Sequence, residues 1–392
     1  MIRYFTAGES HGPELTGIVE GVPAGLEVLE SDIEKHLVRR QKGYGRGGRM
    51  AFEKDHAEIR SGVRFSKTTG APISLTMVNR AYEKDDDNWP KVMAKDGDRG
   101  DVGRITLPRP GHADLAGLQK YGFDDIRPVI ERSSARETAM RVACCSVARI
   151  LLKRLGIEIG GHVIQLGTTG YKHWEKIREK ADPIAENGAE EIYKLADESE
   201  VRCLDDELSG QMREEIKIKR KEGTSLGGIY EIIVTGVPAG LGSYVHWDRK
   251  LDGQLAQAIM STQAMKGVEI GIGFEAGRRY GHRVHDEIYH ENDAFKRRTN
   301  RLGGFEGGVT TGMPIILRGV MKPIPTMIKP LRTADIETKE EQDTRYERSD
   351  VCALPRAVVV AESVLAPVIA NAILEKYGGD SMKELLNRFP DD

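Results

Sequence analysis

The chain has 392 residues, with 58 lysines and arginines against 61 aspartates and glutamates, for a net charge of −3. That length allows one large domain or two ordinary ones with a substantial core. The balanced charge gives no overall field for nucleic acid or an anionic membrane surface, so anion binding has to come from local clustering.

No apolar run reads as long enough to span a bilayer, and the N-terminus, MIRYFTAGESHG, lacks the apolar core of a signal peptide. Cys144, Cys145, Cys203 and Cys352 have no zinc-ligand spacing and read as reduced, packed thiols, as in a cytoplasmic enzyme without a metal. Residues 2–7 and 15–20 predict strands around a polar loop, Gly8-Glu9-Ser10-His11-Gly12, whose glycines present Ser10 and His11. A plain hairpin turn with a solvated histidine has the same pattern. GVPAGL at 21–26 precedes a predicted helix at 31–40. Residues 39–50, RRQKGYGRGGRM, set Arg39, Arg40, Arg46 and Arg49 among glycines. That composition suits either a basic loop that contacts RNA or a lid over a phosphorylated small molecule. Short strands are predicted at 57–64 and 72–78. The Asp-rich segment 81–101 around Trp89 reads as a surface loop.

The stretch 104–141 is the most informative. Pro108 and Pro110 hold the backbone extended around Arg109, Gly111 frees a turn, and His112 is followed by Asp114. Arg132, Ser133, Ser134 and Arg136 then precede Glu137 and a predicted helix at 138–152. Ser133 or Ser134 is placed to cap that helix, with Glu137 completing a capping box. A helix start beside arginines and hydroxyls suits an anion. Taken singly these residues describe an ordinary capped helix; a titratable histidine with this many donors in one stretch points to a binding site.

A strand is predicted at 157–169. Residues 173–222, rich in Lys and Glu at helical spacing, read as solvated helix faces without chemistry. GVPAGL then returns at 236–241. Upstream, Gly8, Ser10 and Gly12 align with Gly223, Ser225 and Gly227, and each copy is followed by a predicted helix, 31–40 and 251–261. This is the pattern of an internal duplication, with similar halves at about 1–150 and 220–392 and a charged helical insertion at about 173–222, in one domain over 1–392. His11 aligns with Leu226, so the loop does not demand histidine. Gln263 and Ala264 precede a strand-like run, residues 277–298 read as exposed, and 300–312 form a second Gly-rich loop. After a strand at 314–320, Lys322-Pro323-Ile324-Pro325-Thr326 fixes a rigid path between an ammonium and a hydroxyl, or is a plain connector. Arg348 and Asp350 stand before an apolar helix at 357–377, a common place for a structural ion pair.

GESHG, GYGRGGR, RPGHAD, DIRPVIERSSARETAMR, NRLGGFEGG, MKPIPT and ERSDVCALP occur in this order from Gly8 to Pro355. Together they resemble the chorismate synthase family. The resemblance implies an α+β fold, a layered β-α-β sandwich with an internal pseudo-repeat, usually assembled as a homotetramer. It implies a lyase of the shikimate pathway, serving aromatic amino-acid biosynthesis, that eliminates phosphate from 5-enolpyruvylshikimate 3-phosphate to give chorismate. Reduced FMN is required although nothing is oxidised overall. By analogy His11, His112 and Asp350 are catalytic: His11 as acid toward the leaving phosphate, His112 at the flavin's pyrimidine edge, and Asp350 in removal of the ring proton with flavin N5. Ser10, Arg40, Arg46, Arg49, Arg109, Arg136 and Arg348 are implied for the substrate. Arg40, Arg46, Arg132, Ser133, Ser134, Gln263, Ala264, Gly307, the run Lys322, Pro323, Ile324, Pro325 and Thr326, and Arg348 are implied for the flavin. Many relatives are expected to carry Asn where this chain has Gln263. The flavin's reductant is either NADPH acting on this enzyme or an external flavin reductase. Two other readings compete: an RNA-binding protein using the loop 39–49, and a different FMN oxidoreductase. Scarce aromatic platforms weigh against the first, and the lack of a GxGxxG after a strand weighs against the second.

Overall fold

The computed structural model describes residues 1–45, 54–83, 88–344 and 350–390. Helices and strands are mixed. The first half begins with β1 (Arg3–Ala7) and β2 (Glu14–Glu20), then α1 (Glu30–Gln41), β3 (Glu58–Ile59), a hairpin of β4 (Val63–Arg64) and β5 (Lys67–Thr68), and β6 (Ile73–Val78). Short helices α2 (Arg80–Glu83), α3 (Trp89–Val92), α4 (Asp114–Tyr121) and α5 (Arg127–Ser133) lead to the long α6 (Glu137–Arg154). Next come β7 (Glu158–Leu166), β8 (Thr169–Gly170), the helices α7 (Trp174–Ala185), α8 (Ala189–Glu198) and α9 (Asp206–Lys221), and β9 (Gly228–Thr235). The chain continues with α10 (Leu251–Met260), β10 (Met265–Ile270), the hairpins β11 (Ile288–Glu291)–β12 (Ala294–Arg297) and β13 (Phe305–Glu306)–β14 (Val309–Thr310), β15 (Ile315–Met321), α11 (Leu354–Tyr377) and α12 (Met382–Arg388).

The strands form a four-stranded sheet, β1-β2-β6-β3, and a five-stranded sheet, β10-β15-β9-β7-β8, both antiparallel. β2 alternates buried and exposed residues because only one face of its sheet is covered, by α6. β7 is buried almost continuously because both of its faces are covered. Its adjacent Gly160 and Gly161 point to opposite sides: a Cβ at Gly160 would stand 1.8 Å from the Ala189 carbonyl at the start of α8, and one at Gly161 would stand 2.7 Å from Val358 of α11. α6 and α11 pack against each other, with α1 beside both.

The two GVPAGL segments make the same bonds. Leu26 N–H donates to Thr68 Oγ1 (2.9 Å), whose hydroxyl donates to Pro23 O (2.6 Å); Leu241 N–H donates to Thr310 Oγ1 (2.8 Å), which donates to Pro238 O (2.7 Å). Both threonines open the string Thr-Thr-Gly-x-Pro-Ile, and the following strands pair in one register, Val19 with Ile73 and Val234 with Ile315.

Three expectations need correction. α11 does reach the length and apolarity of a membrane-crossing helix, but 83% of its most apolar stretch is buried inside the protein, as a core helix. α6 starts without a side-chain cap; Ser133 lies in α5 and its hydroxyl donates back to Val129 O (2.6 Å), while Glu137 turns to other partners. The helices of 173–222 are not merely solvated, because Trp174 and Arg178 of α7 cover the buried Glu231 and Arg318 of the second sheet. All four cysteines are buried and unpaired.

The helical interior holds a buried charge network. Glu362 on α11 is fully buried and accepts from Arg39 (2.6 and 3.0 Å) and Arg149 (2.8 Å). Asp197 accepts from Arg39 (2.5 Å) and Arg202 (2.7 Å), and Arg202 donates on to the carbonyls of Arg39 and Pro355. Burial pushes the Glu362 carboxyl up, but the charges of Arg39 and Arg149 outweigh it and hold it below the ordinary carboxylate value. A depressed carboxyl stabilises the fold above its unfolded pKa, and that contribution is lost as pH falls through the folded value. Glu362→Gln takes the carboxylate from Arg149 and one of two from Arg39, and should cost about 3–5 kcal/mol at neutral pH. Denaturant melts over pH should show the deficit shrinking below about pH 4; a deficit that stays constant with pH would mean the charge is not the cause.

Candidate active site

The loop between β1 and β2 lies against α5 and the start of α6. Asn79 fixes it by donating to Glu9 O (3.1 Å) and Gly12 O (2.8 Å). Ser10 is buried; its backbone N–H donates to Glu131 O (3.2 Å), and Ser134 Oγ donates to its hydroxyl (3.1 Å). The His11 backbone N–H donates to Glu131 Oε2 (2.8 Å), and ring Nδ1 lies 3.0 Å from both carboxylate oxygens. Trp89 stacks on the imidazole, centroids 3.9 Å apart and planes 14° from parallel, and the Arg127 guanidinium lies 5.5 Å from the Trp89 ring centre. Trp89 therefore belongs to this site and not to a plain surface loop; its flat face gains most against another ring. Glu131 was not singled out, because nothing in its spacing links it to a histidine so distant in sequence.

The arginines are already partnered. Arg40 is buried and donates from Nε and Nη2 to Thr138 Oγ1 (3.1 and 2.9 Å), from Nη2 to Ala135 O (2.9 Å), and from Nη1 to Asp55 (3.2 Å). Arg136 donates to Asn79 Oδ1 (2.9 Å) and pairs with the other oxygen of Asp55. Asp55, which the sequence did not mark, thus neutralises two cations at once. Burial lowers the Arg40 pKa, with Asp55 opposing. Arg132 donates to Thr6 O (2.7 Å), Thr6 Oγ1 (2.8 Å) and Gly8 O (3.3 Å). The expected ligand arginines Arg46, Arg49 and Arg348 lie outside the described residues.

The second histidine has the same kind of support. His112 Nδ1 lies 2.5 Å from Asp114 Oδ1 and 3.1 Å from Arg109 Nη2. Asp114 also accepts from the Arg109 backbone N–H (2.9 Å), Nε (2.8 Å) and Nη2 (3.1 Å). Burial would raise the Asp114 carboxyl, but the bonds from His112 and Arg109 hold it far below the usual carboxylate range. A charged Arg109 thus meets a charged Asp114, and the pair fixes the imidazole between them.

Glu137 joins the two regions. It accepts from Thr6 Oγ1 (2.8 Å) and from Gln263 Nε2 (3.1 Å), which is why it does not cap its own helix. Ala264 holds a left-handed φ of +67°, unusual for a residue with a Cβ, and its carbonyl accepts from Lys322 N–H (3.0 Å). Lys322 Nζ stands 3.7 Å from where a Cβ of Gly111 would be, and Pro325 stands 3.8 Å from it, so the KPIPT run meets the turn before His112. Ser225, the repeat counterpart of Ser10, holds this run by donating to Ile324 O (2.6 Å). Burial and nearby Lys266 lower the Lys322 ammonium. Gln263 Oε1 is a buried acceptor without a donor, next to the left-handed Ala264, whose carbonyl holds Lys322. Such a set fits a polar ring ligand with an anionic tail.

Gly307 is at a hairpin tip beside Tyr244. Asp350 pairs with Arg356 in the first turn of α11. An open cleft of about 860 Å³ bounded by α1, α6 and α12 shares no residue with any of these groups. Among the described residues no group of three or more His, Cys, Asp or Glu side chains is arranged to hold a metal.

The profile of the chorismate synthase family matches residues 2–374. The chorismate synthase of Salinibacter ruber is 55% identical over 388 residues, covering 97% of this chain and 96% of that one. The chorismate synthase of Chlorobaculum tepidum is 53% identical, covering 99% and 96%. A crystal structure of a chorismate synthase superimposes with a TM-score of 0.78 at 41% identity, covering 99% of this chain and 96% of that one. With its motifs in order and the match running through nearly its whole length, the chain belongs to the chorismate synthase family.

Proposed function

We infer that this chain is the lyase that converts 5-enolpyruvylshikimate 3-phosphate to chorismate in the shikimate pathway, with a dependence on reduced flavin. The observation that carries the reading is the Glu137 bridge, which brings the His11 loop, the Gln263–Ala264 corner and the KPIPT–His112 corner into one polar seam.

The flavin is FMN, used reduced. Gln263, Ala264, Lys322, Pro323, Ile324, Pro325 and Thr326 hold it, with Arg132, Ser133 and Ser134 near the first loop and Gly307 as a further contact. When bound, it supplies an electron for cleavage and takes it back, so the protein's task is position and charge. Ser10, Arg40, Arg109 and Arg136, with Arg46, Arg49 and Arg348 from outside the described residues, bind the substrate. The described arginines among them each pair with a carboxylate, so they keep a fixed geometry toward an anion, with less net charge than a bare cluster. His11 gives its proton to the departing phosphate, which leaves more readily protonated. His112, fixed by Asp114, balances negative charge on the bound ring. Asp350 assists removal of the ring proton.

Around this chemistry the chain is one domain over 1–392, a layered β-α-β sandwich of two pseudo-repeat halves, about 1–150 and 220–392, with a charged helical insertion at about 173–222. The matching bonds of Thr68 and Thr310 support that reading. A homotetramer in the cytoplasm completes it. Phe5 and Ile18, cross-strand partners on the uncovered sheet face, are 61 and 43% exposed, an apolar surface suited to another copy. NADPH, directly or through a separate flavin reductase, is the reductant.

The decisive assay is anaerobic, with purified protein, reduced FMN and the enolpyruvyl substrate, following phosphate release. His11→Leu borrows the repeat's own residue, Leu226, and should fold and bind FMN while turnover falls by roughly 10²–10⁴. Near-normal turnover would end the acid assignment. Asp350→Ala should cut turnover strongly with FMN affinity and melting temperature held; if stability falls instead, Asp350 serves only as the partner of Arg356. Gln263→Leu should weaken FMN roughly three- to tenfold in equilibrium titration, the worth of one hydrogen bond. Unchanged affinity would remove Gln263 from the flavin contact.

A further inference from the structure

Two groups hold His11 to which the functional reading above gives no role. Glu131 is 0% exposed at its side chain, and its carboxylate takes both the His11 backbone N–H and ring Nδ1, at 2.8 and 3.0 Å. The two bonds fix the residue at its backbone and at one edge of its ring. Trp89 covers one face of the ring at 3.9 Å. Of the two ring nitrogens, Nδ1 is the one Glu131 engages, which assigns ligand chemistry to Nε2. Arg127 donates to the same carboxylate (3.3 Å) and lies over Trp89, so edge and face supports are tied together.

We propose that Glu131 is a positioning residue that holds His11 with its proton on Nδ1, while Trp89 holds the plane of the ring, so that Nε2 is the nitrogen that acts on substrate. This deepens the acid role given to His11 and rests on that reading. In the step itself the imidazolium loses its Nε2 proton to a leaving phosphate oxygen as the C–O bond breaks. Nδ1 keeps its proton and Glu131 stays ionised throughout, so the neutral product imidazole is the tautomer the resting site already favours. No tautomer exchange is needed between turnovers, and only Nε2 must be reprotonated. Ionised Glu131 is also what its surroundings favour: burial raises its carboxyl, but the hydrogen bond and charge of His11 and the charge of Arg127 hold it below the ordinary value. The backbone bond from Ser10 N–H to Glu131 O couples the same residue to the serine beside the acid.

The test uses the full chain labelled with ¹⁵N-histidine, the His11 resonances being those lost in His11→Leu. In the wild type the neutral His11 ring should show the Nδ1–H tautomer. In Glu131→Gln, whose amide can donate to Nδ1, it should move toward Nε2–H. Single-turnover phosphate release in Glu131→Gln should fall at least about tenfold, the usual worth of an orienting partner, with KM changed far less. Glu131→Asp should restore part of the rate and part of the Nδ1–H signal, and it carries the same measurement if the glutamine variant does not fold. Trp89→Leu should lower the rate with the tautomer unchanged. An unchanged tautomer and unchanged rate in both Glu131 variants would overturn the proposal. If the tautomer moves as expected while His11→Leu keeps near-normal turnover, Glu131 positions the ring as proposed and the acid role of His11 is what fails.

Discussion

A cation taken out of water has to meet an opposite charge, and that constraint organises this protein on both sides of α1. Arg39 and Arg40 are consecutive, so the helix turns them about 100° apart. Arg39 points to the interior and is held by Glu362 and Asp197. Arg40 points to the loop region and is held by Asp55 and Thr138. One helix thus ties the fold's charged interior to its candidate site, and a shift in α1 would disturb both.

The same constraint runs through the site. Arg40 and Arg136 share Asp55, Arg109 and His112 share Asp114, and His11 and Arg127 share Glu131. Each carboxylate reduces the net positive charge available to an anionic substrate. In return each fixes the cation's geometry before the ligand arrives, and pre-set dipoles and charges need little reorganisation during reaction. For a substrate with two carboxylates and a phosphate, orientation matters as much as attraction.

The two sheets divide the work. The second, covered on both faces, is the more continuously buried and carries the KPIPT run off the end of β15. The first, covered on one face, carries the His11 loop at one end and leaves Phe5, Ile18 and Val78 on its open face. α6 and α11 pack between these parts, and α6 brings its Glu137 end to the site.

Much of this was legible in the chain itself. Local pattern located β1, β2, α1, β6, α6, β7, α10, β15 and α11, because buried faces and turn residues repeat at helix or strand spacing. The repeated GVPAGL marked two places where the same turn forms, since glycine-rich turns depend on neighbours close in sequence. The ordered motifs pointed to the family and to His11, His112 and Lys322. Other features needed the tertiary structure. Glu137 reads as a cap residue three positions after Ser134, yet a carboxylate goes where donors are, and Thr6 and Gln263 outcompete its own helix end. Trp89 sits in a stretch whose composition signals exposure, but His11 offers it a flat partner. Glu131 lies within a motif and four residues after Arg127, but nothing local links it to His11, and Asp55 likewise meets Arg40 and Arg136 only in the folded chain. Sequence determines which local structures form and which chemistry is on hand; only folding decides which carboxylate meets which cation, because that pairing depends on distance in space.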